Sequence, residues 1–252
     1  MVKVMMSSAD RIDDFTELAY RELLVLAKQK YRFSRYGESV QQAHLLWRHD
    51  IDVCLASSVR LARIEASENV RSTYFLFPRC EFYNLFNKPS HDRVREIIDL
   101  GHDIGLHFDP FFYSVDAANA DIEKSIEREL SWIADDFSVS PTAVSFHNYG
   151  TAIEQMPSGD IVCGVANAYG KTIMNEYGYV SDSNGVWRFD RLRDVLLKAE
   201  KDRLQVLTHP VWWAKELLPP RQRLQNSIDN AARELGERYD ASLAEAGRPN
   251  VR

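Results

Sequence analysis

Leu45-Leu46-Trp47-Arg48-His49-Asp50-Ile51-Asp52 begins as an apolar run and ends on two carboxylates. The opening triplet has the composition of a strand, and the polar close marks where that strand runs out. Directly downstream, Leu55, Val59, Ala62 and Ala66 fall on one helical face, and Thr73 to Phe77 then forms a β-rich run ending at Pro78. The stretch therefore reads strand, helix, strand, with its charged residues at the end of the first strand.

The same alternation extends in both directions. Upstream, Phe15, Leu18, Ala19, Leu23, Leu26 and Ala27 follow helical spacing. Downstream, Val94, Ile97 and Ile98 lie on a short helix closed by Gly101. Asp103 to Phe108 is a strand, Ala118, Ile122, Ile126, Leu130 and Ile133 mark a helix, and Ala143 to Phe146, Ile161 to Val165 and Tyr177 to Ser181 are strand candidates. Leu192, Val195, Leu196 and Ala199 make another helix; Leu204 to Thr208 is the last strand, and Pro219-Pro220 open a terminal helix. With no linker or repeat in view, residues 1–252 are expected to form a single domain, with helices about 11–30 and 219–238 packed on it. Repeated βα units predict a mainly parallel sheet. Asp50, Asp52, His107, His147, Asp182 and His209 all fall at or just beyond strand ends. Barrels gather site residues from many strands in this way, whereas open sheets use one switch point. A barrel is expected.

Composition narrows the function. The 252 residues are 45% hydrophobic and 27% charged, which is globular rather than disordered. A net charge of -6 and a pI near 5.7 lack the basic footprint of a nucleic-acid binder. Apolar runs such as Leu23 to Ala27 and Tyr74 to Phe77 are too short to span a bilayer, and MVKVMMSSADRIDD contains no apolar export core. A cytoplasmic protein without a transmembrane segment is expected. Cys54, Cys80 and Cys163 are odd in number and widely spaced, which fits reduced thiols rather than disulfides or a thiolate zinc site.

The chemistry-bearing residues come in clusters. Asp50 and Asp52 share one side of an extended backbone and repel unless a cation or a shared proton lies between them; the alternative is a solvated strand end with Asp52 capping the helix. In Gly101-His102-Asp103-Ile104-Gly105-Leu106-His107-Phe108-Asp109, alternation turns His107 away from Ile104 and Leu106, as a neutral ligand or as a packed imidazole. Leu207-Thr208-His209-Pro210-Val211-Trp212-Trp213 offers His209 as a general acid beside indoles that stack on a sugar, or an aromatic core edge. Ser145-Phe146-His147-Asn148-Tyr149-Gly150 adds His147 and Tyr149, and Tyr179 to Ser183 adds Asp182.

In this order the motifs resemble the polysaccharide deacetylases, the NodB-homology or carbohydrate esterase 4 superfamily, over roughly Leu45 to Trp213. The resemblance implies an α/β fold with a distorted (β/α) barrel. It also implies one divalent metal, usually Zn2+, bound by one Asp and two His. Carried over, it makes Asp52 and His107 metal ligands, Asp50 the catalytic base and His209 the acid that protonates the leaving group. His102 matches a non-ligand histidine. Phe111 stands where the family has its second metal histidine, and Phe146-His147-Asn148-Tyr149-Gly150 replaces the third motif with its Arg. His147 is therefore expected to complete the metal site, with Asp109 as the alternative. Arg48 is expected to partner the base, Asp182 falls where an acidic residue orients that partner, and the Tyr149 N–H is a candidate oxyanion donor. The implied activity is metal-dependent removal of an N-acyl, above all N-acetyl, group from an amino sugar, a nucleotide-sugar or a surface-polysaccharide precursor. The alternatives are an amidohydrolase acting on a non-sugar amide and a non-catalytic sugar-binding protein on a degenerate scaffold; metal content and a substrate panel separate them.

Overall fold

Strand β2 (His44–Asp50) is buried at every residue, as a strand is when a parallel sheet is covered on both faces. Leu45 and Trp47 pack outward with Leu23, Leu24 and Ala27 of helix α1 (Glu17–Lys28), while Leu46 turns inward. In the computed structural model, which describes residues 12–113, 122–147 and 156–251, the same two-sided burial recurs in β3 (Thr73–Leu76), β4 (Asp103–Phe108) and β5 (Ala143–Phe146). The remaining strands are β1 (Arg32–Ser34), β6 (Ile161–Val162), β7 (Val165–Asn167), β8 (Gly178–Ser183), β9 (Val186–Trp187) and β10 (Arg203–Thr208). Between them run α2 (Leu55–Ser67), α3 (Lys88–Asp99), α4 (Pro110–Tyr113), α5 (Ile122–Phe137), α6 (Lys171–Glu176) and α7 (Leu192–Lys198), and α8 (Pro220–Glu245) is the last described element.

The strand order is β6-β7-β5-β4-β3-β2-β10-β8-β9, with β1 alongside the first half of β2. Pairing is parallel except in the β6–β7 and β8–β9 hairpins. Tyr36, Leu46, Phe75, Ala143, Ala166 and Ala168 form one inner cluster, with Tyr169, Ile173 and Tyr177 against it. Residues of β2, β3, β5 and β7 meet there because the sheet curls on itself, and Tyr36 reaches across to donate to Gln205 Oε1 of β10 at 2.7 Å. Edge strands β6 and β9 pair with no further strand among the described residues. The result is the expected α/β architecture with a distorted barrel, open on one side.

Local departures from the sequence reading have identifiable causes. Ile161 to Val165 is a hairpin rather than one strand, since Cys163 and Gly164 turn the chain at φ 48° and 82°. Helix α1 starts at Glu17, where the Thr16 hydroxyl accepts the Ala19 N–H at 3.1 Å. Helix α8 runs on to Glu245, beyond the expected end near 238. Ala118 of the fourth predicted helix lies outside the described residues. No described helix is long and apolar enough to cross a membrane.

Candidate active site

The inward-facing polar residues collect at the C-terminal ends of the strands. Asp50 ends β2 and Asp52 lies two residues beyond it; His107 is in β4, His147 directly follows β5, and His209 directly follows β10. One carboxylate oxygen of Asp52 and one ring nitrogen from each of His107 and His147 lie within 4.8 Å of one another. His107 Nδ1 is 2.7 Å from the hydroxyl of Ser145, its register partner in β5. That contact leaves His107 Nε2 facing Asp52 Oδ1 at 3.2 Å. Asp52 Oδ1 is buried and makes no hydrogen bond. Burial alone would raise the Asp52 carboxyl, but the adjacent His107 imidazole, with those of His209 and His147, holds it at about 2. Burial, then His107, pushes the His147 imidazole downward, toward the neutral form that a ligand requires. One carboxylate and two imidazoles around an orphaned buried oxygen suit a borderline divalent cation such as zinc. Asp109 is not in this group; its Oδ1 accepts the Phe111 N–H at 2.9 Å, turning the chain into α4.

A second pair of interactions prepares the flanks. Arg48 is fully buried, and its Nη2 donates to Asp50 Oδ2 at 3.0 Å and to the Tyr169 hydroxyl at 2.6 Å. Asp50 Oδ1 is left buried without a hydrogen bond. Asp182 accepts the His209 backbone N–H at 3.0 Å and also pairs with His209 Nδ1. His209 Nε2 is thereby turned toward the site, 3.6 Å from Asp52 Oδ2. Burial would lower the His209 pKa, but the Asp182 carboxylate, then Asp52 and Asp50, raise it to about 9, so the ring carries a proton at neutral pH. Asp182 thus orients the histidine, where the sequence reading had it orienting the partner of Asp50. Behind the sheet, His49 bridges Thr208 Oγ1 at 2.7 Å and Glu65 Oε1 at 2.6 Å, tying the strand that ends in Asp50 to the strand that precedes His209.

The expectation of an exposed indole pair changes at Trp213. Trp213 is 1% exposed, packed on Phe15, Tyr20 and Trp187, and donates to Asp182 at 3.3 Å. Its ring faces are closed to a sugar; Trp212, beside it, is half-buried. Tyr149 lies outside the described residues. Ser145 and Tyr169 went unassigned in the sequence. Period-two alternation from His147 points Ser145 inward, but nothing local marks Tyr169, which sheet curling brings to Arg48.

No family model matches the chain, and no curated protein does. Among solved structures it is similar to a polysaccharide deacetylase from Bacillus cereus, with 14% identity, TM-score 0.44, and coverage of 78% of this chain and 89% of that one. It is also similar to a chitin deacetylase from Colletotrichum lindemuthianum (15%, TM-score 0.45, 79% and 86%). A third is a family 4 acetyl xylan esterase from Clostridium thermocellum in complex with a cobalt ion (16%, TM-score 0.43, 81% and 92%).

Proposed function

We propose that this protein is a metal-dependent hydrolase that removes an N-acyl group, above all N-acetyl, from an amino sugar. The observation that carries the reading is the convergence of Asp52, His107 and His147 between a restrained carboxylate, Asp50, and a restrained imidazolium, His209. Asp52, His107 and His147 are the residues that would hold the ion. A divalent ion bound there supplies Lewis acidity toward a carbonyl oxygen and acidifies a water molecule.

The rest of the chemistry belongs to the chain. Arg48 occupies Asp50 Oδ2, so Oδ1 is the atom that takes a proton from the attacking water. Asp182 occupies His209 Nδ1, so Nε2 is the atom that hands a proton to the departing amine. A neutral amine leaves far more readily than an amide anion, which is why the second proton matters as much as the first.

The test is metal analysis of the purified chain together with release of acetate from a panel of N-acetylated amino sugars and simple non-sugar amides. One equivalent of metal and turnover confined to the sugars is the expected result. Metal with turnover only on non-sugar amides would transfer the site to another amidohydrolase class, and absence of both would leave a binding protein.

A further inference from the structure

A cleft of about 520 Å³ lies between the first turn of α2, the segment that follows His209 and helix α8. Five cationic side chains line it, Arg60, Arg93, Lys215, Arg223 and Arg233, against two carboxylates, in a chain whose net charge is -6. Arg60 is paired with Glu17 and Arg93 with Glu234, each at 2.7 Å. Lys215 and Arg223 have no carboxylate within ion-pair distance among the described residues.

Arg223 is the informative one. It is 2% exposed; Nη1 donates to the Trp212 carbonyl at 2.7 Å and Nη2 to the Ile12 carbonyl at 3.0 Å, while Nε is buried without a partner. Neutral carbonyls do not cancel its charge, and a buried cation without a counter-ion is strongly unfavourable. Burial lowers its pKa to about 10. The 13-residue helix α2 adds to the imbalance: Leu55, Ala56 and Ser57 of its first turn line the cleft, no acidic residue is in that turn, and its cap is the Cys54 sulfur, 3.4 Å from the Ser57 nitrogen. The free N–H groups of a helix start favour an anion. Helix α2 begins three residues after Asp52, and the cleft-lining segment at Val211 begins two after His209. Cleft and candidate active site therefore share two chain segments.

We propose that this cleft binds a phosphate or diphosphate group and, resting on the deacetylase reading, that the group is carried by the acylated amino sugar itself. The test is calorimetric titration of the full chain with inorganic pyrophosphate. Saturable binding is expected, weakened at least tenfold in the double variant Lys215→Ser, Arg233→Ser, whose replaced side chains are exposed. Pyrophosphate should also raise the melting temperature of the unsubstituted protein but not of Arg223→Met, in which the buried charge is gone. Absence of saturable binding, or unchanged affinity in the double variant, overturns the proposal. Comparing an N-acetylated hexosamine with its 1-diphosphate ester identifies the source of the anion. A substrate-borne group gives at least a tenfold preference in kcat/KM for the ester, lost in the double variant. Cleft binding of pyrophosphate without that preference overturns the substrate link. Failure to deacetylate either sugar strikes the deacetylase reading alone, because the titration reads the cleft without turnover.

Discussion

One guanidinium separates the roles of two carboxylates that sit two residues apart. Arg48 fixes Asp50 and does not pair with Asp52, while Asp52 faces the imidazoles of His107, His147 and His209. Asp50→Asn should therefore keep the metal and lose turnover by roughly 10²- to 10⁴-fold, the range of a general base, whereas Asp52→Ala and His147→Ala should lose the metal; elemental analysis beside acetate release checks both. Metal retained in His147→Ala would remove it from the ligand set. Ser145→Ala frees the His107 ring and is expected to cost roughly 10- to 100-fold in metal affinity, as loss of a ligand-orienting partner does. Asp50, Asp52, His107 and His209 stood out in the sequence because polar groups closing apolar strands are costly unless used. Ser145 did not, since a lone serine in a strand is chemically unremarkable until its register neighbour is known. Asp182 found its partner only once β8 and β10 were known to be adjacent.

Strand β4 holds His107 in place through a position that tolerates no side chain. A Cβ at Gly105 would lie 2.7 Å from the Phe75 ring and 2.9 Å from the Ala143 carbonyl. Gly105→Ala should destabilise the fold by about 1–3 kcal/mol through overpacking and weaken metal binding by shifting His107, measurable by thermal unfolding and metal titration; a neutral effect on both would contradict the packing. On the other face, α2 inserts Glu65, 0% exposed, against Tyr20, His49, Tyr74 and His102. Burial alone would raise this carboxyl, but His49, then His102 and Tyr20, hold it at about 2, below its ordinary 4.5. A depressed folded-state pKa stabilises above the unfolded value and is lost as pH falls through the folded one. The stability gap between the wild type and Glu65→Gln should thus shrink from pH 4.5 down to about 2 in urea unfolding, and a gap independent of pH would remove Glu65 as its source. Helical spacing in α2 was readable from Leu55, Val59 and Ala62. The buried acid on it was not, because its partners come from α1, β2, β3 and the α3–β4 turn.

At the scale of the molecule, the sheet is held by its own ladder, and the candidate metal site is added at its rim. Alternating strands and helices with polar strand ends made the barrel readable. Its open side was not, because the sheet ends at β6 and β9, edge strands of two residues each that are too short to show a period. The site draws Asp52 from beyond β2, His107 from β4 and His147 from beyond β5, so a bound ion ties together strands already joined by backbone pairing, β2 to β4 through β3 and β4 to β5 directly. Two apolar clusters behind the sheet and one inside it contain none of the three residues. Removing the ion should therefore cost only its binding linkage, about 4 kcal/mol where it is present at a thousand times its Kd, and leave the fold intact. Chelation is expected to lower the melting temperature and abolish turnover while the far-ultraviolet circular dichroism spectrum stays unchanged at 25 °C, with both effects reversed on adding zinc. Loss of the helical spectrum on chelation would instead make the ion a structural element on which the barrel depends.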